Sequence, residues 1–392
     1  MAVRYGFLST HPPTRCGLAN FNSALAAQLA TGAGSGGIVR VTTAGEDQRP
    51  GPGVVHTWSA RAVAGWQGAA EALNAFDVTI VQHEYGIYPG PDGGEVLPLL
   101  RRLSGPSIVV LHTVLSAPTP GQRSLLEAIV AAADAAVTMT DTARNLLLHR
   151  YAVDPGKVTV IPHGTADHVE RRGAPAPRQA RPHLLTWGLL GPGKGIEWAL
   201  RALALLQDLD PPPRFTVAGQ THPKVIARHG EAYRAGLHRL GAQLGVAHTV
   251  DYQPVYHDEA ALGRLIRSAD AVVLPYDSLE QVTSGVLTEA VGAGVPVVAT
   301  TFPHAVEVLS DGRGLLVPHR HPAALAKAIR RILTDPSMAA RMSRTSAPAV
   351  RWPAVAARYE TLAGRLIAAR ATTQDVAANT RGSDSHSVRT RS

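Results

Sequence analysis

Short apolar runs alternate with helix-length stretches along almost the whole chain, and this alternation constrains the fold more than any single motif. Strands are expected at 3–8, 37–43, 54–58, 78–83, 107–113, 135–140 and 158–162, then at 184–188, 214–219, 248–253, 271–276, 296–300 and 314–318. Helical patterns lie between them at 18–30, 60–75, 119–133, 141–150, 195–208, 228–245, 257–268, 285–293 and 321–334. Repeated βαβ units of this kind are right-handed and build a parallel sheet. At 392 residues the chain exceeds what one hydrophobic core supports, so the pattern implies two sheets. The expected fold class is α/β, with two facing doubly wound, Rossmann-like domains and a cleft between them. Such folds bind ligands beyond the carboxyl ends of their strands, so function is sought in the loops after strands.

The expected domains are 1–165 and 183–350. Between them, Ala166 to Arg181 holds Arg171, Arg172, Pro175, Pro177 and Arg178 without periodicity, and 166–182 reads as a linker. A last helix is expected near 351–370. Beyond 371 the polar run through Ser383, His386 and Arg391 has nothing to bury, and disorder is expected.

Composition removes several function classes. Aromatics are 5% of the chain, too few for a base-stacking nucleic-acid platform. One cysteine, Cys16, supplies neither an internal disulfide nor a thiolate cluster, so a reducing, cytoplasmic setting is expected. Val3 to Leu8 reads as a first strand rather than a signal peptide. No apolar run reaches 18 residues; Asp134 interrupts the longest, and no membrane-spanning helix is expected. The net charge of +8 is concentrated in 320–392, with 13 basic and 4 acidic residues, whereas 1–165 is balanced at 11 and 11. With no recognition motif beside it, the basic end reads as a solvated helix face and tail rather than a nucleic-acid site.

The densest chemistry lies in 271–300. The apolar run Ala271–Tyr276 precedes a loop that opens a helix near Ser284. Free backbone amides there, at the positive end of the helix dipole, suit an anionic group such as a phosphate. Glu289, one to two turns further on, suits the hydroxyls of a ribose. Phosphate plus ribose describes a nucleotide; an ordinary βαβ unit with a capping serine and a solvated glutamate reads equally well from this stretch alone.

After the second half's first strand comes Gly188-Leu-Leu-Gly-Pro-Gly193-Lys194-Gly195. Its glycines let the backbone approach an anion, and Lys194 adds a charge at a helix start. A P-loop would continue with Ser or Thr for magnesium; Gly195 stands there instead, which disfavours a nucleotide hydrolase. After the chain's first strand, a loop containing His11 and Gly17 again ends at a helix start. It lacks the dinucleotide fingerprint, so a nicotinamide dehydrogenase is disfavoured. Gly17 allows close approach of a diphosphate or is a simple turn glycine. His83, followed by Glu84, and His112 and His163 each sit just past a strand, which suggests a polar lining. They form no helical pair, and no metal site is expected. His222 and His304 are further candidates.

Taken together these residues resemble the retaining family-4 glycosyltransferases of the GT-B fold. In that family a first-strand glycine loop, a histidine after a middle strand, a G-x5-K-G loop and a Glu-x7-Glu-Ala segment recur in this order. Here the corresponding residues are Gly17, His112, Gly188 to Gly195, and Gln281 to Ala290. Gly294–Thr300, Asp311–Val317 and Trp352–Tyr359 are similar to the family's C-terminal half. The resemblance implies transfer of a hexosyl group from a nucleoside diphosphate sugar, with retention and without a metal or other cofactor, to a glycan, lipid or small-molecule acceptor. It assigns Lys194 and His112 to catalysis. Gly17, Gly188, Gly193, Gln281, Ser284 to Leu287 and Glu289 fall to the donor, leaving His11, His83, Glu84 and His163 as acceptor-side candidates. It also implies a last helix that crosses back to the first domain. Two positions depart from the pattern: Leu189 replaces a phosphate-neutralising arginine, and Gln281 replaces the first glutamate, with Glu280 adjacent. A non-catalytic nucleotide-sugar-binding homologue therefore stays open as an alternative. With a neutral first domain, at most peripheral membrane association is expected.

Overall fold

The structure, a computed structural model, describes residues 2–31, 36–42, 51–59, 62, 64–166, 181–344 and 350–386. The chain divides into two compact units, one of 1–139, 143–162 and 353–392, the other of 140–142 and 163–352. Each contains one wholly parallel sheet.

In the first unit the strands are β1 (Tyr5–Ser9), β2 (Gly36–Thr42), β3 (Val54–Ser59), β4 (Val78–His83), β5 (Ser107–Leu111), β6 (Ala135–Thr138) and β7 (Val158–Val160). Their order is β3-β2-β1-β4-β5-β6-β7. β4 and β5 are buried at every residue. Runs rich in Val and Ile, covered on both faces, favour this parallel arrangement. Chain direction across the sheet reverses between β1 and β4, the switch point where a crevice opens beyond the strand ends. The helix Gly17–Leu29 follows β1. Pro120–Ala132 begins with a full capping box between Thr119 and Gln122.

In the second unit the strands are β8 (His183–Trp187), β9 (Arg214–Ala218), β10 (Val250–Gln253), β11 (Ala271–Leu274), β12 (Val297–Thr300) and β13 (Gly314–Val317), ordered β10-β9-β8-β11-β12-β13. Alternate residues of each strand enter two cores. Leu184, Val217, Val273 and Val298 pack on one face, and Leu185, Ala218, Val272 and Val297 on the other. The switch point lies between β8 and β11.

All thirteen expected strands are present, with ends shifted by one or two residues. The helices differ more. The expected 228–245 segment is two helices, Pro223–His229 and Ala232–Gln243, because Gly230 at φ 57° turns the chain between them. Val96–Arg102, Pro303–Leu309 and Pro336–Arg344 are helices that the sequence pattern did not suggest. Proline at a first helical position is pre-set for the helix, and reading Pro303 and Pro336 as loop punctuation hides the last two of these.

The unit boundaries also differ from the expected ones. Residues 163–166 cluster with the second unit, not with 1–165, and so do 140–142. The expected linker lies mostly outside the described residues, which omit 167–180. The last helix, Trp352–His386, continues beyond residue 371, where disorder was expected. After Pro353 that helix contains no further proline, and its alanines and arginines favour the helical state. Residues 387–392 lie outside the described set.

Candidate functional site

At the β8–β11 switch point four loops converge. Gly188, just after β8, has φ 117°, and a Cβ there would lie 3.6 Å from Val286. Its carbonyl oxygen would be 1.9 Å from any Cβ at Gly219, the residue after β9. The glycine-rich loop thus lies directly against the loop beyond β9 and the first turn of Gly285–Gly292. Gly195 caps the helix Ile196–Ala204 at φ 63°, and a Cβ there would meet the Pro275 carbonyl oxygen at 1.8 Å. Gly193 lies in the same left-handed region, φ 91°, with open space around its Cα.

These turns present Lys194. Its Nζ stands 4.4 Å from the centroid of the Tyr276 ring, a cation–π contact. Tyr276 is buried and stacks on Phe302 with ring centroids 5.0 Å apart. Lys194 itself is half-buried and has no carboxylate partner among the described residues. A half-desolvated ammonium held on an aromatic face is an anion-binding group.

The helix start at Ser284 is more occupied than the sequence implied. Ser284 Oγ accepts from the Leu287 amide at 3.2 Å. The Ser284 amide donates to His304 Nδ1 at 2.7 Å. Only the amides of Gly285 and Val286 are left for a ligand at this end. Burial holds His304 neutral, its pKa lowered to about 3, with the nearby His163 adding to the effect. His304 is therefore a structural acceptor that fixes the loop. Gln281 folds back so that its side-chain amide donates to the Thr283 carbonyl, and its backbone carbonyl accepts from the His304 backbone amide at 3.2 Å. Glu280 is exposed.

Glu289 accepts from Trp187 Nε1 at 3.3 Å. Desolvation outweighs that bond and pushes its pKa up to about 7, with a small contribution from Glu259. The folded state keeps this proton between about pH 4.5 and 7 while the unfolded chain releases it, so stability falls as pH rises through that window. Glu289→Gln is expected to remove the slope. In urea unfolding the variant should match the wild type near pH 4.5 and exceed it at pH 8. A shift of this size carries at most about 3 kcal/mol, reduced by the residual exposure of the side chain.

His163 belongs to the second unit, and its Nε2 would be 3.0 Å from a Cβ at Gly285. Its Nδ1 donates to the Gly164 carbonyl at 2.7 Å. Burial lowers its pKa to about 4. It packs against the start of Gly285–Gly292, close to His304. His222 caps Pro223–His229 by accepting from the Lys224 amide at 3.1 Å.

In the first unit the candidates gather at the β1–β4 switch point and the end of β5. His112 Nε2 bonds Gln82 Oε1 at 2.8 Å, and Phe21 meets the imidazole edge-on at 4.9 Å. Glu84 accepts from the Tyr85 amide at 2.9 Å and from Thr113 Oγ1 at 2.5 Å. His83 is buried, neutral with a pKa lowered to about 4 by desolvation, and neither ring nitrogen has a hydrogen bond. His11 is held near about 4 by desolvation, with the Arg40 charge acting in the same direction, and contacts Asn22 at 3.5 Å. Gly17 is exposed, with nothing within 4 Å of an added Cβ. Neither packing nor backbone strain requires a glycine there. Among the described residues no group of three or more His, Cys, Asp or Glu side chains is placed to hold a metal, and no helix is long and apolar enough to cross a membrane.

Two family models match consecutive parts of the chain: Glycosyltransferase Family 4 over 30–168 and Glycosyl transferases group 1 over 170–347. The chain belongs to the family-4 glycosyltransferases of the GT-B fold. It is 32% identical over 269 residues to the D-inositol 3-phosphate glycosyltransferase of Streptomyces avermitilis, an alignment covering 63% of this chain and 57% of that one. With the Acidothermus cellulolyticus protein of the same name it shares 34% over 241 residues, covering 58% and 52%. The matches thus span only a little over half the length of these relatives. Among solved structures, sucrose-phosphate synthase from Thermosynechococcus elongatus superposes with a TM-score of 0.67 at 22% identity, over 93% of this chain and all of the other. Anabaena HepE in complex with UDP and glucose gives 0.70 at 15%, over 92% and 100%. At such identities these two likenesses speak for the fold.

Proposed function

We propose that the protein transfers a hexosyl group from a nucleoside diphosphate sugar to a glycan, lipid or small-molecule acceptor, with retention at the anomeric carbon and without a metal. The carrying observation is Lys194, a half-buried ammonium without a carboxylate partner in a glycine-rich loop that abuts the free amides of Gly285 and Val286. These groups suit the charge that develops on a departing diphosphate. The names of the relatives support a sugar transfer, and HepE with UDP and glucose supports a nucleotide-sugar donor. Glu289 would take the ribose hydroxyls, while Gly17 leaves room at its helix start for the ligand. In the reaction, the acceptor oxygen bonds to the anomeric carbon as the bond to the diphosphate breaks. The acceptor's proton passes to the departing phosphate oxygen.

The test is incubation with UDP-, GDP- and ADP-hexoses, following nucleoside diphosphate release and the anomeric configuration of the product by NMR, with and without a chelator. Absence of release or transfer with every donor, alongside retained donor binding, would favour the non-catalytic alternative. His112 is assigned to the transferred sugar. His112→Ala should then slow transfer at least tenfold while binding of the free nucleoside diphosphate stays within about twofold; equal losses would make it a structural support.

Gln281 occupies the position eight residues before Glu289. Gln281→Glu is expected to change donor preference or rate while leaving nucleotide affinity intact, and Glu280→Gln to have little effect. A large loss from the second change in parallel donor-panel assays would reverse the two assignments.

A further inference from the structure

β4 and β5 run side by side in register, with Gln82 opposite Val110 and His83 opposite Leu111. The ladder continues one step past the strands, where the His112 amide donates to the His83 carbonyl at 3.0 Å. His112 therefore leaves β5 two residues beyond Val110, on the face of the sheet that Gln82 shares. There its Nε2 donates to Gln82 Oε1 at 2.8 Å. The Phe21 ring stands edge-on to the same imidazole, at an interplanar angle of 85°. Gln82 is fully buried, and among the described residues His112 is the one partner of its side chain. The Gln82 amide nitrogen is sealed from solvent and makes no hydrogen bond. A buried amide with unsatisfied donors costs free energy that an apolar side chain of similar shape does not.

We infer that Gln82 is a positioning residue, which holds His112 in one orientation and one tautomer at a cost to the stability of the first unit. Two observations carry this. Val78, Ile80 and Val81 show what the buried interior of β4 otherwise takes, so burial alone does not call for glutamine. An amide oxygen only accepts, so the ring nitrogen facing it carries the proton, and in the neutral ring Nδ1 is then the acceptor. An acceptor nitrogen is what a sugar hydroxyl can donate to. His112 is half-buried, so a ring released from Gln82 could turn towards water and exchange tautomers. It would then hold the accepting form for only part of the time. Gln82 does not reach a ligand itself; it acts through His112.

The inference rests on the reading of His112 as a sugar contact, and the experiment separates the two. Nitrogen-15 NMR of histidine-labelled wild type, at a pH where the ring is neutral, should show the His112 proton on Nε2 alone; loss of the signal in His112→Ala assigns it. Gln82→Met should give a mixture of the two tautomers. The same variant should unfold at the wild-type urea concentration or above it, yet slow transfer about tenfold. Affinity for the free nucleoside diphosphate should stay within about twofold. Added to His112→Ala, Gln82→Met should change the rate by less than about twofold, because the two residues act as one unit. A proton on Nδ1 in wild type would overturn the inference without any variant having to fold. A lowered unfolding midpoint, or rate losses that add in full, would make Gln82 an ordinary structural residue. If wild type turns over no donor, the transferase reading falls, while the tautomer and the urea midpoint still decide whether Gln82 holds the ring.

Discussion

Gly195→Ala is expected to destabilise the second unit by on the order of 3 kcal/mol or more, with Gly193→Ala as the comparison that gives the number its meaning. Both glycines have positive φ, 63° and 91°, so each substitution meets the left-handed penalty of roughly 1–2 kcal/mol. They differ in their surroundings. A Cβ at 193 enters open space, whereas one at 195 would lie 1.8 Å from the Pro275 carbonyl oxygen and force the end of β11 away. That displacement moves Tyr276, and with it the surface on which Lys194 rests. Urea unfolding of the two variants should therefore separate them by about 2 kcal/mol or more. Similar losses would show that the loop yields and that the close approach is not a constraint.

The second large effect is on binding. Lys194→Ala should weaken nucleotide-sugar affinity at least tenfold, because a charge-assisted hydrogen bond contributes about 1.5–3 kcal/mol. Leu189 occupies the place where the family commonly carries an arginine, so that residue cannot share the charge. Lys194→Arg separates charge from shape. A guanidinium can still face an anion and stack on Tyr276, so partial retention is expected from it and near-complete loss from alanine. Calorimetry with a folded alanine variant of unchanged affinity would remove Lys194 from the site.

The strands were legible because parallel strands buried on both faces read as unbroken runs of Val, Ile and Leu, as in Ser107–Leu111. The glycine loop and Ser284 were legible because backbone geometry restricts which residue types serve there. What the sequence concealed was pairing across distance. His304 takes the Ser284 amide, a bond spanning 20 residues, and nothing local to either residue announces it. His163 follows a first-unit strand in the chain yet settles against Gly285, because unit membership changes within a few residues after β7. Leu189, half-buried beside Gly188, remains without a structural reason for replacing a charge.

The first unit closes only with the chain's last helix. Val355 and Tyr359 of that helix are fully buried, burial and then the charge of Glu360 push the Tyr5 pKa up to about 12, and Arg370 pairs with Asp134 at 3.0 Å. On a ribosome the seven-stranded sheet would emerge well before these residues are made. At about 5–20 residues per second, synthesis of 163–352 leaves its edges waiting on the order of ten seconds or more. The second unit, whose chain is nearly continuous, can be complete first. The order in which the two units can be completed is therefore the reverse of the order in which their strands are made.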